Sequence, residues 1–126
     1  MQDLALLEKI NQERNIINRF QLFVKDPGMG GNLSSNAPFP ILDEFTIGRD
    51  PENEILVNDP HVSAQHARLK VEGEDLYLTD LDSTNGTYIN GDLIKGKQKL
   101  FPGDEIIIGD VLFEVMGWEN EGSSTD

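Results

Sequence analysis

Four side chains could together hold an anion: the guanidinium of Arg49, the hydroxyls of Ser63 and Thr84, and the amide of Asn85. Each stands in or beside a turn-rich stretch next to strand-forming residues, namely Gly48-Arg49, VSAQHA and STNGTYING. All four are hydrogen-bond donors, and the N–H groups of such loops add more. Donors gathered without a base suit phosphate or a similar anion, which they meet through charge-assisted hydrogen bonds. That chemistry requires three separate loops to meet at one rim.

Other chemistries fit less well. His61 and His66 are the two histidines, and no spacing in the chain suggests the third and fourth ligands that zinc would need. Ser63, His66 and an Asp outline a hydrolase triad, but no Gly-x-Ser-x-Gly elbow surrounds Ser63. A calcium loop counted from Asp80 puts Asn85 where Gly is required and Gly91 where Glu is required. The Gly-rich run PGMGGN lacks the Gly-Lys-Ser/Thr of a nucleotide loop, and there is no cysteine. The expectation is a protein that is not an enzyme and has no metal and no cofactor.

The elements that must position the four donors are short strands. RFQLFV alternates in part and is rich in strand formers, and EFTIGR, EILV, HARLKVE, DLYLTDL, TYIN, DLIKG, DEIIIG and VLFEVMG follow it. Turn signals separate them: Asp50-Pro51, Asp59-Pro60, Glu72-Gly73-Glu74, Pro102-Gly103 and Gly109-Asp110. Many short strands at this spacing predict an all-β antiparallel sandwich or barrel. DPGMGGNLSSNAPFP reads as a loop. Asn85-Gly86 and Asn90-Gly91 are both tight-turn signals, with only Thr87, Tyr88 and Ile89 between them. If both turned the chain, the hairpin between them would be very small.

Ahead of the strands, Leu4, Leu6, Leu7, Ile10, Ile16 and Ile17 recur with helical spacing and predict a short helix over residues 2–17. The expected organisation is a helical extension over 1–18, a sandwich over 19–118 and an acidic disordered tail over 119–126. The chain has 126 residues with 37% hydrophobic content, enough for one domain with a real core. Its 23 Asp and Glu against 10 Lys and Arg give a net charge of −13. Such a surface argues against nucleic acid and against anionic membranes as partners. The absence of cysteine, of a membrane-length apolar run and of a signal peptide fits a cytoplasmic protein.

FTIGRDPENEILVNDPHVSAQHARLKVEGEDLYLTDLDSTNGTYINGDLI, followed by LFPGDEIIIGDVLFEV, resembles the forkhead-associated (FHA) domain. That family shows Gly-Arg, then Ser-x-x-His, then a Ser/Thr-x-Asn-Gly-like turn and a second Asn-Gly, in this order. The resemblance covers about Phe20 to Gly117. It implies a β-sandwich of about eleven mostly antiparallel strands that binds phosphothreonine-containing peptides through its loops. It implies that Arg49 and Ser63 contact the phosphate, that Thr84 supplies a second hydroxyl near the threonine methyl, and that Asn85 binds the peptide backbone. It implies structural support from Gly48, His66, Gly86, Asn90 and Gly91, with Asn85-Gly86 shaping a ligand-facing loop and Asn90-Gly91 turning the chain.

One departure stands out. After the Ser63-like serine, where the family often carries basic residues or Asn, this chain has Ala64 and Gln65. Either Arg49 is then the only cation close to the phosphate and affinity is weak, or Lys25 or Arg68 supplies a second. The function expected is a non-catalytic phosphothreonine reader in Ser/Thr kinase signalling. The alternative is an FHA-like scaffold that binds an unphosphorylated protein partner through a sandwich face or the N-terminal helix. Residues 1–45 hold no Thr, and Thr125, the remaining flanking Thr, lies in an acidic tail whose docking charge repulsion would oppose, so self-inhibition is not expected.

Overall fold

The computed structural model of the protein describes residues 20–117 apart from 30 and 42; the helix expected over 2–17, the tail over 119–126 and Thr125 lie outside them. Among the described residues the chain forms β1 (Phe20–Asp26), β2 (Pro38–Ile41), β3 (Glu44–Gly48), β4 (Ile55–Leu56), β5 (Ala67–Glu72), β6 (Asp75–Asp80), β7 (Thr87–Ile89), β8 (Asp92–Leu93), β9 (Lys97–Leu100), β10 (Glu105–Ile108) and β11 (Val111–Gly117). Six strands order as β2-β1-β11-β10-β7-β8, and five as β4-β3-β5-β6-β9. The pairings are antiparallel except β3 with β4. The all-β sandwich expected from the sequence is the fold.

Alternation builds the core. Successive strand side chains point to opposite faces, so one set of every strand is buried. Phe20, Leu22 and Val24 of β1 lie on the same inner face as Val111, Phe113 and Val115 of β11 and Ile106 and Ile108 of β10. Phe45 and Ile47 of β3, Leu69 of β5 and Leu76 and Leu78 of β6 face them from the second sheet. Each of these burials stabilises the fold by roughly 1.5–3 kcal/mol before the entropy of ordering is counted.

Two strands correct the sequence reading. The segment read as one long loop contains β2, which pairs with β1 through Leu22 opposite Phe39 and Phe20 opposite Ile41. Pro38 and Pro40 hid it, yet β2 is the outermost strand of its sheet, where a missing ladder N–H is tolerated. Ahead of it, backbone bonds from Asn36 N to Val24 O (2.7 Å) and Val24 N to Ala37 O (3.0 Å) bring the chain back to β1. Likewise DLIKG is not one strand. It gives the two-residue β8, buries Ile94, turns at Gly96 (φ 68°) and crosses to the other sheet as β9. β9 has only Leu100 buried and is polar along the rest of its length, so hydrophobic alternation could not reveal it.

The two Asn-Gly pairs behave differently. Asn90 (φ 51°) and Gly91 (φ 89°) join β7 to β8 as a two-residue hairpin, with Ile89 opposite Asp92. Asn85-Gly86 ends the longer connection from β6 to β7.

Candidate functional site

Three connections meet at one rim: 49–54 after β3, 57–66 before β5, and 81–86 before β7. Their meeting is recorded in bonds across the gaps. Arg49 N donates to Ser63 O at 2.9 Å, and Asp50 N donates to Ala64 O at 3.2 Å. Thr84 N donates to Ser63 Oγ at 3.0 Å. Asn85 Nδ2 donates to His61 O at 2.8 Å. Arg49, Ser63, Thr84 and Asn85, separated by up to 36 positions in the chain, therefore occupy one continuous hydrogen-bonded surface.

Arg49 is exposed, and its guanidinium is steadied by one bond, Nε to Val62 O at 2.9 Å. Among the described residues no carboxylate lies within 4.0 Å of it. Ser63 Oγ accepts from Thr84 N and so keeps its own hydrogen to donate. The side chains of Thr84 and Asn85 are exposed.

Beneath this surface lies His66, fully buried. Its Nδ1 accepts from Ser63 N at 3.0 Å, so the ring hydrogen sits on Nε2 and is donated to Gly86 O at 2.9 Å. One imidazole thus ties the Ser63 loop to the Asn85 loop. Both ring nitrogens are taken by backbone groups, which leaves none to act as a base on the Ser63 hydroxyl. The hydrolase triad outlined by the sequence is not assembled.

Gly48 permits the contact between β3 and the Ser63 loop. A Cβ there would sit 2.1 Å from Ala64 O and 2.7 Å from Asn53 Nδ2, both inside van der Waals contact. Gly86 (φ 93°) adopts a backbone that side chains disfavour, and a Cβ there would meet Leu93 Cδ1 at 2.6 Å.

Other supports escaped the sequence reading. Asn53 is buried and donates from Nδ2 to Asp50 O (2.8 Å) and Ala64 O (2.7 Å), binding the Arg49 loop to the Ser63 loop. Asp80 accepts from Ser83 Oγ (2.6 Å), Ser83 N (3.1 Å) and Thr87 Oγ1 (2.7 Å), closing the loop that carries Thr84 and Asn85. The Asp-x-x-Ser spacing was the available signal, since Asp favours local bonds to nearby backbone. Burial pushes the Asp80 carboxyl up, but the bonds from Ser83 and Thr87 outweigh it and hold the group below the usual aspartate value.

A depressed carboxyl stabilises the fold above its unfolded pKa, and that stability is lost as pH falls through the folded value. Asp80→Ala should therefore cost about 2–4 kcal/mol at neutral pH, because the buried Thr87 hydroxyl also loses its partner. Urea unfolding of the two proteins should show the gap narrowing below about pH 4. A gap that stayed constant into acid would mean that the carboxylate charge contributes nothing.

Asp59 does for the Ser63 loop what Asp80 does for its neighbour. It accepts from His61 N (2.8 Å) and Asp110 N (2.9 Å), joining that loop to the turn between β10 and β11. Burial raises its carboxyl, while those backbone N–H groups and the nearby His61 ring lower it further, leaving it below its ordinary value. Asp59, His61 and Asp110 bring ligand-type atoms within 4.8 Å of one another. The buried member spends its oxygens on backbone N–H groups, so capping accounts for the cluster.

The expected help from Lys25 and Arg68 is not at this rim. Lys25 pairs with Glu105 (3.1 Å) and Glu114 (3.6 Å), and Arg68 pairs with Glu44 (3.6 Å).

A family model described as the FHA domain matches residues 45–109. The FHA domain-containing protein FhaB of Mycolicibacterium smegmatis is 31% identical over 105 residues, covering 83% of this chain and 64% of that protein. An oxoglutarate dehydrogenase inhibitor of Corynebacterium efficiens is 41% identical over 64 residues, covering 51% of this chain and 44% of that protein. The chain thus spans between about two-fifths and two-thirds of these relatives' lengths. A solved structure from work on phosphothreonine-dependent FHA domain interactions superposes with a TM-score of 0.69 at 26% identity, covering 79% of this chain and 97% of the other.

Proposed function

The chain belongs to the FHA domain family, and from that premise we propose that it is a non-catalytic module that reads phosphothreonine in protein partners within Ser/Thr kinase signalling. The observation that carries this reading is the continuous donor surface of Arg49, Ser63, Thr84 and Asn85, bonded across three loops. A guanidinium, hydroxyls and an amide around exposed loop backbone suit a phosphate and the chain beside it. The non-catalytic part is supported by His66, whose ring is committed to holding loops together. Phosphothreonine is the partner class named for the solved structure described above.

The scaffold alternative has one observation in its favour. Leu93, Tyr88, Ile107 and Leu112 stand opposite one another across β8, β7, β10 and β11, and Leu93 and Ile107 are exposed. Titration with a degenerate phosphothreonine peptide library and its unphosphorylated twin separates the two. Binding confined to the phosphorylated library supports the reader. Equal binding to both overturns it in favour of the scaffold.

The reader should also prefer phosphothreonine over phosphoserine. One buried methyl is worth roughly 0.8 kcal/mol, and somewhat more if its loss leaves a void. A matched peptide pair differing only in that methyl should therefore differ in Kd by a factor of about four to ten. Equal affinities would remove the methyl from the site.

A further inference from the structure

Lys9, Arg14 and Arg19 lie outside the described residues, which leaves seven cations within them. Five are ion-paired: Lys25 with Glu105 and Glu114, Arg68 and Lys70 with Glu44, Lys97 with Glu72, and Lys99 with Asp75. Only Arg49 and Lys95 have no carboxylate within 4.0 Å among the described residues. In a chain of net charge −13, a lysine with no carboxylate within 4.0 Å among the described residues is an exception.

Lys95 borders an open groove of about 380 Å³ whose lining also includes Thr84, Asn85, Tyr88, Leu93 and Asp82. Thr84 and Asn85 belong to the donor surface, so the groove continues directly from it. Backbone bonds fix Lys95 there: on one side Ile94 N donates to Thr87 O at 3.0 Å, and on the other Asp80 N donates to Gly96 O at 3.0 Å. The segment carrying Lys95 is thereby held against both ends of the loop that carries Thr84 and Asn85. The groove also holds two carboxylates, Asp80 and Asp82. Asp80 is committed to Ser83 and Thr87, and Asp82 is exposed.

Resting on the phosphothreonine reading above, we propose that this groove reads an acidic side chain flanking the phosphothreonine, with Lys95 as the specificity-determining residue. Arg49 meets the phosphate, and Lys95 meets the flanking acid from the groove. The partner is then an acidic phosphopeptide, and Leu93 and Tyr88 give its stem an apolar surface to lie on. An exposed pair of this kind is worth a factor of about two to five in affinity, and salt should erode it.

The test uses the full chain, Lys95→Ala and Lys95→Glu against phosphothreonine peptides in which one Glu is walked through an alanine background on both sides. Anisotropy titrations at low and high salt are read as ratios to the all-alanine phosphopeptide. At one or two positions Glu should raise wild-type affinity about two- to fivefold at low salt. The gain should vanish in Lys95→Ala and become a loss in Lys95→Glu. The all-alanine phosphopeptide should bind all three proteins within about twofold. If wild type binds phosphopeptides but gains from Glu at no position, this inference falls and the phosphothreonine reading stands. If Lys95→Ala weakens every phosphopeptide equally, Lys95 acts on the phosphothreonine itself, and the inference falls again. If no phosphopeptide binds at all, both fall together.

Discussion

Arg49→Ala loses phosphothreonine-peptide affinity by about ten- to a hundredfold or more, because a charge-assisted hydrogen bond to phosphate contributes roughly 1.5–3 kcal/mol. The fold should survive. The side chain is exposed, and its one bond to the protein, to Val62 O, leaves a carbonyl at a rim that water reaches. The backbone bond from Arg49 N to Ser63 O remains in the alanine variant. Arg49→Lys keeps the charge but loses the planar fork and the Nε bond, so it should fall between the two. Calorimetric titration beside a thermal melt checks both halves. Affinity within about twofold of wild type would remove the phosphate from Arg49.

His66→Ala fails in the opposite order, with stability lost first and binding only in consequence. The substitution leaves a cavity where a fully buried ring stood and strands the Ser63 N–H and the Gly86 carbonyl. A buried unsatisfied backbone group costs about 1–3 kcal/mol, and the cavity adds to it, so a total of about 3–5 kcal/mol is expected. For a domain of this size that lowers Tm by roughly 10 °C or more. Binding measured well below the melting point should be weakened less than in Arg49→Ala. Unchanged Tm with binding abolished would place His66 in contact with the ligand rather than beneath it.

The parts of this molecule that could be read from its sequence are those whose physics is local. RFQLFV, HARLKVE and VLFEVMG are rich in strand formers and alternate enough to declare a strand. Asn90-Gly91 carries its own turn in two residues that tolerate positive φ. β2 and β9 were illegible because they are outer strands with one pairing partner each, and residues there need not follow the pattern of a buried face. Each member of the proposed donor set is a polar residue in a turn-rich stretch beside strand-forming residues, which is a local signal. Two of its supports, Asn53 and Asp59, carry no such signal. Asn53 reaches Ala64 across 11 positions, and Asp59 reaches Asp110 across 51, and nothing near either residue in the chain announces such a partner. Lys95 was hidden for a different reason, since a cation with no carboxylate in reach stands out only once the ion pairs among the described residues have been located.

The composition of the outer strands limits how this protein can be approached. At the ends of the two sheets stand β2 with its two prolines, β8 and β4 with two residues each, and β9 with Lys97 and Lys99. An exposed strand edge is an invitation to strand addition, by an extended peptide or by another copy. Here prolines withhold N–H donors at one edge, two edges offer too little length to zip, and the fourth is guarded by lysine charge. Strand addition is therefore a poor route for a partner, and the proposed reader works instead through its loops, where selectivity resides in side chains. The same blunting works against edge-to-edge pairing between copies of the described strands.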